Sequence, residues 1–183
     1  MSEAGPPRPR IAISVRSGRG FLNLRLNPRR GQALEAAERI LGQPMPRAAN
    51  TFTAGEHEVY WLGPDEWLVA TGAKRVSALG SELAEALGGF HAAVNDVSGG
   101  HVELLVRGAD ARTVLAKGCT LDLHPREFAP GQCAQTGLGR AAVLLAAGDS
   151  STCTIVVRRS FSGYLRRWLA NAARPHGARL PAL

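Results

Sequence analysis

The sequence predicts an α+β fold made of two related ββ-α-βββ-α halves with antiparallel sheets. Three observations carry this. Several short runs alternate apolar and polar residues, the period of a half-buried strand, and between them lie stretches whose apolar residues recur at helical spacing. The order of these runs then repeats. Ser17-Gly18 and Ser98-Gly99 stand 81 residues apart, and Val76, Leu79 and Leu83 match Phe161, Tyr164 and Trp168 at a spacing of 85. A repeat this long and present only twice is not a solenoid, so the halves are expected to pack into one α+β unit.

Ile11, Ile13 and Val15 alternate with polar residues, as do Leu22, Leu24 and Leu26. They predict two strands joined as a hairpin by Ser17-Gly18-Arg19-Gly20. Asn27-Pro28 starts and Gly42 stops a helix whose apolar face is Leu34, Ala37, Ile40 and Leu41. Strands over 50–53 and 58–62 follow, then the turn Gly63-Pro64-Asp65-Glu66, a strand over 67–71, and a helix facing inward with Val76, Leu79, Leu83 and Leu87. In the second half, strands over 92–97 and 102–106 flank Ser98-Gly99-Gly100, a helix covers 110–117, and strands cover 132–147 and 154–158. A closing helix turns Phe161, Tyr164, Leu165, Trp168 and Leu169 inward. The expected organisation is a flexible tail at 1–10, halves at 11–91 and 92–174 that share one domain, and a second tail at 175–183.

With 183 residues, 45% of them hydrophobic, the chain is long enough for a substantial core without covalent staples. No uncharged apolar run approaches the roughly 18 residues of a membrane span. The opening MSEAGPPRPR has no apolar stretch behind its charges, as a secretory signal would. A soluble, cytoplasmic protein without a membrane partner is expected. Cys119, Cys133 and Cys153 are odd in number, which argues for reduced thiols. The net charge of +7 and pI of about 10.3 invite a nucleic-acid reading. Twenty of the 22 basic residues are Arg, however, scattered through every segment with no basic helix carrying interleaved aromatics. Arg is also favoured at protein interfaces, so a docking subunit is expected and a nucleic-acid partner is not.

The candidate sites are modest. Cys119, His124 and Cys133 lack the tightly spaced cysteine pairs of structural zinc. His124 precedes Pro125, which favours an extended residue in an ordered loop. Trp61 and Trp67 bracket two carboxylates, Asp65 and Glu66, where turn chemistry and core or interface anchoring outweigh acid-base work or a stacking platform. Gly18-Arg19-Gly20 and Gly137-Leu138-Gly139-Arg140 look like fragments of phosphate loops but sit at hairpin turns rather than between strand and helix. Arg158-Arg159 and Arg166-Arg167 read as solvated charge or interface salt bridges. No nucleophile, base and orienting group can be assembled from these positions. No catalytic, cofactor-binding or metal-binding residue is therefore assigned. The candidate partner interface is Trp61, Asp65, Trp67, Leu121, Asp122, His124, Arg126, Phe128, Arg158 and Arg159.

Five segments in order, WLGPDEWL from Trp61, NDVS from Asn95, LAKGCTLDLHP from Leu115, PGQCAQT from Pro130 and VRRSFSGYLRRWL from Val157, resemble the gamma subunit family of heterotetrameric sarcosine oxidases. The similarity covers about 11–173. It implies a complex that demethylates sarcosine to glycine, with hydrogen peroxide as product and one-carbon transfer to tetrahydrofolate. By the same resemblance the partners are alpha, beta and delta subunits. FAD, FMN and NAD belong to the large subunits, zinc to delta, and no cofactor to this chain, which supports assembly.

That family is in turn similar to the folate-binding domain of aminomethyltransferases, whose duplicated architecture agrees with the repeat; NDVS, GADA from Gly108, LDL and PGQ match. The ligand-contacting positions differ. Ala141-Ala142 stands near where that family has an Asp pair, and Arg158 where it has an Asn. Alanine offers no acceptor for pterin N–H groups. The alternatives are a folate-dependent aminomethyltransferase-like protein and, on charge alone, a nucleic-acid binder. Lys117-Gly118-Cys119 also resembles a motif of folate-dependent iron-sulfur maintenance proteins, for three residues only.

Overall fold

A computed structural model describes residues 10–29 and 31–177; residues 1–9 and 178–183 of the expected tails lie outside them. The chain runs β1 (Ala12–Val15), β2 (Arg19–Leu26), α1 (Gly31–Leu41), β3 (Phe52–Ala54), β4 (Glu58–Gly63), β5 (Glu66–Gly72) and α2 (Val76–Ala86). It repeats as β6 (Ala92–Asp96), β7 (His101–Arg107), α3 (Ala111–Ala116), β8 (Cys133–Leu138), β9 (Ala141–Ala147), β10 (Thr152–Arg158) and α4 (Arg159–Ala173). The ββ-α-βββ-α order thus occurs twice. Among the described residues no helix is long and apolar enough to cross a membrane.

The strands form two antiparallel five-stranded sheets, ordered β1-β7-β10-β9-β8 and β3-β4-β5-β2-β6. This corrects the expected opening hairpin. β1 pairs with β7, while β2 lies between β5 and β6. Each half therefore lends its first strand to the other half's sheet. The Ser17-Gly18 segment, with Gly18 at φ 71°, carries the chain from one sheet to the other, and the Ser98–Gly100 turn does so again in the second half. The physical reason is that alternation sets which face of a strand is buried, not which neighbour satisfies its backbone. The β8–β9 turn, by contrast, is the hairpin expected, with Leu138 opposite Ala141.

Three apolar clusters define four layers. Leu34, Ala37 and Leu41 of α1 and Leu79 and Leu83 of α2 pack on Leu22, Leu24, Val59, Trp67 and Val69 of one sheet. Val114, Leu115, Leu165 and Leu169 of α3 and α4 pack on Ile13, Leu104, Leu145 and Ile155 of the other. Between the sheets lie Phe21, Tyr60, Leu68, Ala70, Cys133, Leu144, Ala146 and Val156. Each fully buried Leu, Val or Phe contributes roughly 1.5–3 kcal/mol of transfer free energy. The helices terminate where the backbone demands it: Gly42, at φ 66°, follows the last residue of α1.

The inter-sheet layer is not uniform along the strands. At one end Arg16, Arg19, Glu58 and Glu103 close a ring of ion pairs. Arg16 reaches Glu58 at 3.0 Å and Glu103 at 2.6 Å, and Arg19 reaches Glu103 at 2.8 Å and also bonds Glu58. Glu103 is fully buried. The ring joins the β1–β2 crossover to one strand of each sheet. At the other end the layer opens.

Candidate functional site

The opening between the sheets is a cleft of about 600 Å³. Alternation along the strands puts its walls there. Arg19, Phe21 and Asn23 share one face of β2, so the ring, the apolar centre and the cleft are visited in turn. Tyr60 and Leu62 do the same on β4, and Leu68 and Glu66 on β5. One wall therefore presents Asn23, Glu66 and Asn95, and the facing wall presents His101, Gln135 and Arg158 over Leu144 and Val156.

Several of these groups are held within the chain. Asn23 Nδ2 donates to Glu66 Oε1 at 2.8 Å, and Gln135 Nε2 donates to the Leu62 carbonyl at 2.9 Å. His101 Nδ1 lies 3.0 Å from the Val97 carbonyl, which can only accept, so Nδ1 carries the proton and Nε2 is left to the cleft. Ala142 lines the cleft while Ala141 faces the helix-side core. Glu66 is the one carboxylate among the lining residues.

The expected interface residues lie in three places, the β4–β5 turn, the 121–128 loop and the junction of β10 with α4. Trp61 and Trp67 are directly opposed on β4 and β5. Trp67 is 1% exposed and donates Nε1–H to the Pro46 carbonyl at 2.9 Å, while Trp61 is half-buried and Asp65, exposed, pairs with Arg25 at 3.0 Å. In the 121–128 loop, Leu123 and Phe128 are buried and Leu121 packs at the core's edge. Asp122 accepts from the His124 N–H at 2.8 Å, His124 Nδ1 accepts from the Arg126 N–H at 3.2 Å, and all three residues are exposed. Trp67 and Phe128 thus face this chain's own interior and offer a partner no surface. Arg158 is exposed at the cleft, whereas Arg159 is spent on the Gly99, Ser98 and His101 carbonyls at 2.7, 3.4 and 3.3 Å.

Sequence reasoning missed two features. Arg112 holds the 121–128 loop from α3, donating Nη1–H to the Leu123 and Phe128 carbonyls at 2.8 and 2.7 Å. Gly118 lies under the Trp168 indole, where a Cβ would collide. The Lys-Gly-Cys opening therefore has a packing role. Cys133 lies between the sheets and Cys119 on the helix side of β8, while His124 is exposed, so the three do not converge. Among the described residues no group of three or more His, Cys, Asp or Glu is placed to hold a metal.

Comparison with known proteins gives a consistent result. The family described as SoxG, sarcosine oxidase, gamma subunit family, matches residues 30–175. The sarcosine oxidase subunit gamma of Corynebacterium sp. (strain U-96) is 36% identical over 142 residues, spanning 78% of this chain and 68% of that relative. A chain of the solved heterotetrameric sarcosine oxidase from Corynebacterium sp. U-96 in complex with pyrrole 2-carboxylate superposes with a TM-score of 0.86 at 31% identity, covering 98% of this chain and 90% of that one. The glycine cleavage system aminomethyltransferase T from Bartonella henselae superposes with a TM-score of 0.67 at 15% identity, covering 94% of this chain and 48% of that one. The last shows a shared fold.

Proposed function

The chain belongs to the sarcosine oxidase gamma subunit family, and from that membership we propose that it is a non-catalytic subunit of a heterotetrameric sarcosine oxidase. The complex oxidatively demethylates sarcosine to glycine, producing hydrogen peroxide and passing the one-carbon unit to tetrahydrofolate. Alpha, beta and delta subunits are its partners, in the cytoplasm. FAD, FMN and NAD reside on the large subunits and zinc on delta. This chain supports the assembly.

The observation that carries the non-catalytic role is the composition of the cleft. Ala142 offers no acceptor, Arg158 brings a cation, and a single lining carboxylate, Glu66, one of whose oxygens holds the Asn23 amide, faces the several ring N–H groups of a pterin. A pterin needs acceptors for its ring N–H groups, and leaving those donors unpaired costs orders of magnitude in affinity. Docking falls to exposed and half-buried groups outside the core: Trp61 and Asp65 on the β4–β5 turn, Leu121, Asp122, His124 and Arg126 on the long loop, and Arg158. β8 lies between the two loops, since Gln135 bonds Leu62 and Thr136 bonds Thr120.

Coexpression of the four subunits, with and without this chain, tests the role. The chain is expected to copurify with alpha and beta, and its omission to lower the yield of intact complex. Full recovery of an active complex without it, or tight tetrahydrofolate binding by the free chain in a calorimetric titration, would overturn the reading.

A further inference from the structure

The two walls of the cleft carry opposite chemistry. On β10 and β7, Arg158 and His101 are directly opposed in register and share one face. On the facing sheet Asn23 is opposed to Asn95 in register, and Asn23 orients the Glu66 carboxylate. Among the described residues neither Arg158 nor Glu66 joins an ion pair. A cation and an anion thus line one cavity without neutralising each other.

A lone anion seated on Arg158 would leave Glu66 facing unfavourable charge, and a lone cation on Glu66 would leave Arg158 so. A neutral planar ligand would strand both. A ligand carrying both charges satisfies both walls, and charge-assisted hydrogen bonds at each end are about twice as strong as neutral ones. We propose that the cleft binds an amino-acid zwitterion, with its carboxylate on Arg158 and its ammonium on Glu66. The side chain lies over Leu68, Leu144 and Val156, for which a cleft of about 600 Å³ leaves room.

Titration calorimetry of the full chain with sarcosine and with leucine, against acetate and methylamine, tests this. The zwitterions bind at millimolar level, and each single-charge probe binds about tenfold weaker or worse. Arg158→Gln and Glu66→Gln each cost at least about tenfold, while Lys74→Gln, on an exposed turn, costs nothing. Methyl NMR shifts at Leu68, Leu144 and Val156 place the ligand. Acetate binding as well as the zwitterions, unchanged binding in either cleft variant, shifts elsewhere, or no binding to about 10 mM would overturn the proposal. Binding is read on the free chain, so this result and the copurification result stand or fall separately.

Discussion

Cys133 and Cys153 are fully buried and Cys119 is half-buried. Burial pushes the Cys133 thiol up to about 12 and raises that of Cys153, so neither supplies a thiolate near neutral pH. Iodoacetamide is expected to modify one equivalent of native chain, at Cys119, and three equivalents once the chain is unfolded. Rapid loss of two or more thiols in the native protein would contradict the burial. Asp110 is a second residue whose environment has a measurable consequence. Its carboxylate is held below its ordinary range, chiefly by the hydrogen bond from His176 Nδ1 at 2.8 Å and then by Arg10 at 2.9 Å. A carboxylate whose folded value is depressed stabilises the fold above its unfolded pKa, about 3.9, and loses that contribution as pH falls through the folded value. Asp110→Asn should therefore lower the thermal midpoint at pH 7, with the gap to the parent protein closing below about pH 4. A gap that stays constant down the pH scale would assign the loss to packing instead.

At the scale of elements, helix spacing and strand alternation were legible because each depends on burial of one face, which neighbouring residues report. Leu34, Ala37 and Leu41 mark α1 this way, and Val76, Leu79 and Leu83 mark α2. Strand partners were not legible, since β1 alternates identically whether it pairs with β2 or β7. Nor was the Arg112 clamp, because the carbonyls it holds have no side-chain signature. The ring of Arg16, Arg19, Glu58 and Glu103 joins residues up to 87 positions apart, beyond any local pattern. Removing one partner of a buried ion pair leaves the other charge uncompensated, which costs about 3–5 kcal/mol. Glu103→Ala is expected to destabilise the chain by about that amount in urea unfolding, whereas Asp65→Ala, which breaks the half-exposed pair with Arg25, should cost at most about 1 kcal/mol. Similar losses for the two variants would mean that the ring contributes no more than a surface pair. The cleft was partly legible: Arg158 and Ala142 were singled out and Glu66 was weighed but set aside as turn chemistry, while Asn23 and His101 come from strands whose pairing the sequence conceals.

For the whole molecule, the exchange of first strands determines how the halves can unfold. A fragment covering 11–91 would keep α1, α2 and β2 to β5, but β2 would lose β6 from one side, and β1 would have no sheet to join. A fragment covering 92–174 would keep β7 to β10 while β7 lost β1 and β6 was stranded. Each would also expose its share of the inter-sheet cluster, Phe21, Tyr60 and Leu68 on one side and Leu144 and Val156 on the other. Unpaired edges and newly exposed apolar faces favour aggregation or loss of structure over independent folding. We propose accordingly that the halves form one cooperative unit, unlike two domains joined by a linker with few contacts across it. The expectation is a single coincident urea transition by fluorescence and circular dichroism for the full chain. Each fragment alone should be largely unfolded, with native-like circular dichroism recovered on mixing them in equal amounts. Two separated transitions in the full chain, or a fragment that folds by itself with a sharp transition, would show that the exchanged strands are accessories to two independent cores.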